Sequence, residues 1–120
     1  MNKDLKNKAA VLFAQGDLEL NKAYEADKIK FDGKVRTCSR RASGFYLDAL
    51  LTVSPKEFYG KSFMSHLRGI LSDNSVPQKV KDSAKLLLVK ASVKEISGAA
   101  AINSAKIIMD YCKSEFEKVI

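Results

Sequence analysis

The chain carries one histidine, His66 in Ser65-His66-Leu67-Arg68, and two cysteines, Cys38 and Cys112. These are the side chains that could move a proton, attack a substrate or hold a soft metal near neutral pH. Their number limits the chemistry at once. With a single histidine there is no His-x-x-x-His pair and no Glu-x-x-His pair, so zincin and di-iron bundle sites are excluded at the level of motif. No Walker loop and no Gly-x-Ser-x-Gly elbow occurs. At helical spacing His66 sits beside Phe63, Leu67 and Ile70, the position of a packing or surface residue. Cys38 and Cys112 both fall on apolar stripes, where burial opposes the thiolate and the thiol acts as a small hydrophobe. The expectation is no catalytic residue, no metal ligand and no cofactor.

The strongest polar constellation is basic. Lys28, Lys30, Lys34, Arg36, Arg40 and Arg41 stand against one acid, Asp32. Arg36 and Arg40 are i, i+4 neighbours on one flank of a helix, while Arg41 and Lys34 fall on the opposite flank. Two small patches result, and no single phosphate clamp. A second basic stretch, Lys79, Lys81, Lys85, Lys90 and Lys94, spreads around a later helix without interleaved aromatics to stack on bases. Over the chain, 21 basic residues against 14 acidic ones leave +7. That excess reads as a lysine-rich solvated surface, with Arg36, Arg40, Arg41 and Lys34 as the residues for weak, salt-sensitive polyanion contact.

The elements that must position these groups are helices. A chain of 120 residues holds one domain, 1–120, and buries about two-thirds of its unfolded surface. The apolar run Ala9–Ala14 is too short for a secretory h-region or a membrane span, so a cytoplasmic protein with reduced thiols and no membrane partner is expected. The first helix, about Lys3 to Phe31, aligns Leu5, Ala9, Leu12, Phe13, Leu20, Ala23 and Tyr24. The second, about Lys34 to Val53, aligns Val35, Cys38, Ala42, Phe45, Tyr46, Ala49 and Leu50. Ser54-Pro55-Lys56-Glu57 has the form of a capping box that opens a turn stopped by Gly60. Phe63, Leu67, Ile70 and Leu71 predict a short amphipathic helix. A third long helix starts at Val76-Pro77 and uses Val80, Ala84, Leu87, Leu88 and Ala91. The fourth carries Ala101, Ile102, Ala105, Ile108, Met109, Cys112, Phe116 and Val119 on one stripe. No alternating strand pattern appears. The chain is thus predicted to be all-α, an up-and-down four-helix bundle with a short extra helix between helices 2 and 3. Gly16, Ser39, Ala42, Ala49, Gly98 and Ala105 are the positions where helices should touch closely. Leu86, Leu87, Leu88 and Val89 are apolar all round, too apolar for an exposed face, and mark an interface expected to serve a homodimer or a protein partner.

Lys34–Leu51, reading KVRTCSRRASGFYLDALL, followed by YGKSFMSHLRGIL and SGAAAINSAKIIMDYCKSEFEKV, resembles the HEPN helical-bundle superfamily. More narrowly it resembles a small bacterial family with that fold, over most of the chain. The resemblance implies a helical bundle, often dimeric, among RNA-cleaving toxins and partners of nucleotidyltransferases. Active members are marked by Arg, four to six residues, then His. Here positions 59 to 61 are Tyr, Gly and Lys, and Arg68 follows His66, so no catalytic residue carries over. A non-enzymatic interaction module acting through self-association or a protein partner is therefore expected. The alternative is a HEPN-like RNA-binding or weakly RNA-cleaving protein of toxin–antitoxin type.

Overall fold

Asn2 starts the first helix by accepting the Asp4 amide at 2.7 Å, and Asp4 adds a negative charge where the helix dipole favours one. The computed structural model describes residues 2–90 and 95–120. Helix α1 spans Lys3–Lys28, and its inner face buries Ala9, Gly16, Leu20, Ala23 and Ala26. Leu5 and Tyr24, aligned with that stripe by periodicity, are more than a third exposed. The end of α1 is a Schellman turn: Phe31 N donates to Ala26 O and Lys30 N to Asp27 O. Lys30 takes the left-handed position, φ 57°, that glycine usually occupies there.

Helix α2 (Asp32–Val53) follows at once and runs back along α1. It is the central element, packed on α1, on the last helix and on the short helix after it. Where α1 meets α2, a Cβ on Gly16 would lie 2.6 Å from the Tyr46 ring. All six small residues picked out for close approach are buried.

Ser54 donates its amide to Leu50 O and so closes α2. That engagement displaces the expected capping box. The single 3-10 turn Glu57–Tyr59 begins after Lys56 with no side-chain cap. The box forms instead one step on, between Ser62 and Ser65, each side chain accepting the other's amide, and opens α3 (Phe63–Ser72). Helix α4 covers Gln78–Leu88 and α5 covers Gly98–Val119, the latter capped by the Ser97 hydroxyl. The third segment is thus 11 residues, close to the 10 of α3 and half the 22 of α5. Ala91 and Lys94, assigned to that segment by periodicity, lie outside the described residues.

The described residues are all helical apart from turns and connections, and no described helix is long and apolar enough to cross a membrane. Helix α4 packs on α5 and α3, and α3 closes the gap between α4 and α2. One core joins the helices, with Tyr46, Leu47, Leu67, Ile70, Leu87 and Ile108 fully enclosed. The radius of gyration is 13.7 Å, against about 13.6 Å expected for this length.

Candidate functional site

The basic run on α2 folds inward more than its charge suggests. Arg40 donates through Nε to Leu87 O at 2.6 Å and through Nη2 to Val89 O at 3.2 Å. Arg36 donates through Nη1 to Ile96 O at 2.9 Å. These carbonyls lie at the C-terminal end of α4 and just ahead of α5. Carbonyls at a helix C-terminus have no intrahelical donor, and the dipole there favours a cation. Arg36 and Arg40 therefore clamp both ends of the α4–α5 connection. Arg41 turns the other way and meets Glu19 of α1 at 3.3 Å; that carboxylate is buried and is also met by Lys22. Lys34 is exposed. Of the four residues suggested for polyanion contact, three reach protein acceptors, on two sides of α2.

The apolar run ending α4 divides as well. Leu87 is enclosed in the core, while Leu86, Leu88 and Val89 are half-buried, the two leucines packed against that core. The most exposed apolar side chains are elsewhere. Val11, Leu18 and Ile29 are 59%, 62% and 73% exposed. Val11 and Leu18, seven residues apart, fall within about 20° of one another around the axis of α1, away from its buried face, and Ile29 lies just past the helix end.

The remaining polar chemistry gathers where the 3-10 turn meets α3. Asp73, just past α3, is buried and accepts four hydrogen bonds. Lys56 Nζ and Tyr59 Oη reach Oδ2 at 2.7 Å each, while Ser75 gives Oδ1 its amide at 3.0 Å and its hydroxyl at 2.7 Å. Burial alone would raise this carboxyl, but the bonds from Lys56, Ser75 and Tyr59 outweigh it and hold the carboxyl far below the usual range. Tyr59 is pushed up, by burial and by the Asp73 carboxylate it serves. Beside this node a 240 Å³ cleft is lined by Leu50, Lys56, Tyr59, Tyr111 and Glu115. Burial raises Tyr111 to about 12, helped by Glu115.

Tyr59 serves a second site with its backbone. Its carbonyl lies 3.0 Å from Nδ1 of His66, a residue 2% exposed. The other ring nitrogen, Nε2, is buried without a hydrogen-bond partner and lies 3.6 Å from Asp48 Oδ1 of α2. Both residues line a cavity of 280 Å³, with Thr52, Lys56, Glu57 and Lys61 also in its wall. His66 is thus packed, as its place beside Phe63, Leu67 and Ile70 predicts, yet one of its nitrogens is unsatisfied. Cys38 and Cys112 are buried, and burial raises both thiols, which disarms them as nucleophiles. Among the described residues no three His, Cys, Asp or Glu side chains come together as a metal cluster.

Sequence reasoning did not find Asp48 or Asp73. Asp73-Asn74-Ser75 ahead of Pro77 does carry a signal, an Asp whose side chain bonds the backbone two residues on. For Asp48 no local signal exists. Compared with known protein families, with proteins of described function and with solved structures, the chain matches none.

Proposed function

We propose that the chain is a non-enzymatic helical-bundle interaction module that acts through self-association, as a homodimer, or through a protein partner. In this reading α1, α2, α4 and α5 are the four helices of an up-and-down bundle and α3 is the short extra helix between the second and the third. The protein works in the cytoplasm with its thiols reduced. The observation that carries the reading is the outer face of α1, where Val11 and Leu18 stand two turns apart and exposed, with Ile29 exposed just past the helix end. Contiguous exposed apolar surface marks an interface, and a second copy or a partner laid on this face would take Val11 and Leu18 out of water. Leu86, Leu88 and Val89, half-buried beside the enclosed Leu87, are the second apolar surface for association.

Light scattering on the purified chain tests this. A mass near twice 13.3 kDa is expected, returning to the single-chain value in Val11→Glu/Leu18→Glu. A single-chain mass across micromolar concentrations, with no protein partner captured through the same face, overturns the reading. The alternative, a HEPN-like protein that binds or weakly cleaves RNA, is supported by the resemblance and by the charge of +7. It takes first place if RNA binding survives physiological salt and is lost in Lys34→Ala/Arg41→Ala.

A further inference from the structure

His66 Nε2 and Asp48 Oδ1 face each other 3.6 Å apart, beyond hydrogen-bond reach. A carbonyl oxygen only accepts, so the 3.0 Å contact with Tyr59 O puts the ring proton on Nδ1. Nε2 of His66 is then the ring nitrogen left buried without a hydrogen-bond partner. The Asp48 carboxylate stands beside it on α2. A buried ring nitrogen with no partner beside a carboxylate is satisfied by a cation held between the two.

We propose that His66 Nε2 and Asp48 Oδ1 together bind one divalent transition-metal ion of the zinc type, with water completing its coordination. Four features of the pair carry this. Two ligands about 2.1 Å from a tetrahedral zinc ion stand about 3.4 Å apart, close to the 3.6 Å separation seen here. Histidines that ligate metals donate their other ring N–H to a carbonyl or carboxylate, which fixes the tautomer and aims the ring; Tyr59 O does that for His66. The Asp48 side chain is 44% exposed and borders the 280 Å³ cavity, which supplies a way in and room for bound water. Imidazole with carboxylate suits zinc, nickel or cobalt, whereas magnesium and calcium prefer oxygen ligands alone. Among the other charged groups in the wall, Lys56 is drawn away by Asp73, leaving Glu57 and Lys61 to offset each other in sign.

Two protein ligands make a modest site, open to solvent, and the inference stands apart from the self-association reading. Its test is calorimetric titration of zinc chloride into the metal-free full chain at a mildly alkaline pH. One site per chain is expected, with cobalt(II) at the same site giving a visible absorption of nitrogen–oxygen type without a thiolate band. Asp48→Asn, at an exposed position that leaves the core untouched, weakens zinc by about tenfold or more. His66→Gln removes binding, and its circular dichroism and melting curve show whether the chain stays folded. The nitrogen-15 shift of Nε2 moves on addition of zinc in the unmodified chain, a readout independent of any variant. No binding at micromolar to submillimolar zinc, binding that survives both substitutions, or an Nε2 shift that zinc leaves unchanged would each overturn the proposal.

Discussion

Two carboxylates flank the 3-10 turn at Tyr59, and they live in opposite conditions. Asp73 is buried under four donors, one of them the hydroxyl of Tyr59. Asp48 faces the unpartnered nitrogen of His66, whose other nitrogen is held by the carbonyl of the same tyrosine. One residue thus braces a saturated site and an unsaturated one. A saturated buried charge is a fastener, because its desolvation is offset only while every partner stays in place. A buried polar atom left without a partner costs stability, and that deficit is what a ligand can relieve. The difference separates the structural polar chemistry of this fold from the polar chemistry open to function.

Removing the fastener gives the largest expected effect. Asp73→Asn leaves Lys56 without its charged partner and the node without its acceptors, and should cost about 3 kcal/mol in denaturant unfolding. The same site sets the acid sensitivity. The folded carboxyl is held below its ordinary value of 3.8, so the unfolded chain binds the proton more tightly. The stabilisation is therefore complete above about pH 4 and disappears as the pH falls further, through the folded value. Unfolding measured between about pH 5 and pH 2 should show that loss in the natural chain and a flatter profile in Asp73→Asn. Equal profiles would mean that the node is not a charged fastener.

Tyr59→Phe removes one of the four donors and keeps the backbone carbonyl. A hydrogen bond to a charged acceptor is worth about 1.5 kcal/mol, and a loss of that size is expected in the melt. The His66 nitrogen-15 pattern should stay unchanged, since Nδ1 still donates to the carbonyl at position 59. A change in the tautomer would show that the two sites are one network.

Asp48→Asn should be the mildest. Its amide can turn a donor towards Nε2, so stability should stay within about 0.5 kcal/mol of the natural chain or rise slightly. A loss as large as that of Asp73→Asn would place Asp48 among the fasteners and end the contrast.

Much of the helical framework was legible from the chain. The apolar stripes of α1, α2 and α5 repeat at helical spacing over 22 to 26 residues, long enough for the pattern to outweigh local noise. Short elements were harder, because Ser54 had two ends to serve and the α2 carbonyl claimed it. The basic run illustrates the limit of spacing arguments. Helix geometry sorted Arg36 and Arg40 from Arg41, but whether they face a polyanion or a carbonyl depends on Leu87 and Ile96, 47 and 60 residues away.

From its sequence alone this protein is all-helical, basic, poor in reactive groups, and close-packed at Gly16, Ala42 and Ala105, because periodicity, charge and side-chain size are properties of the local chain. Only the tertiary structure decided that Arg40 ends α4, that Asp73 is saturated, and that Nε2 of His66 faces Asp48. Those outcomes rest on partners distant in sequence and on a backbone carbonyl, and a carbonyl is the same at every residue until the fold chooses which one a side chain meets.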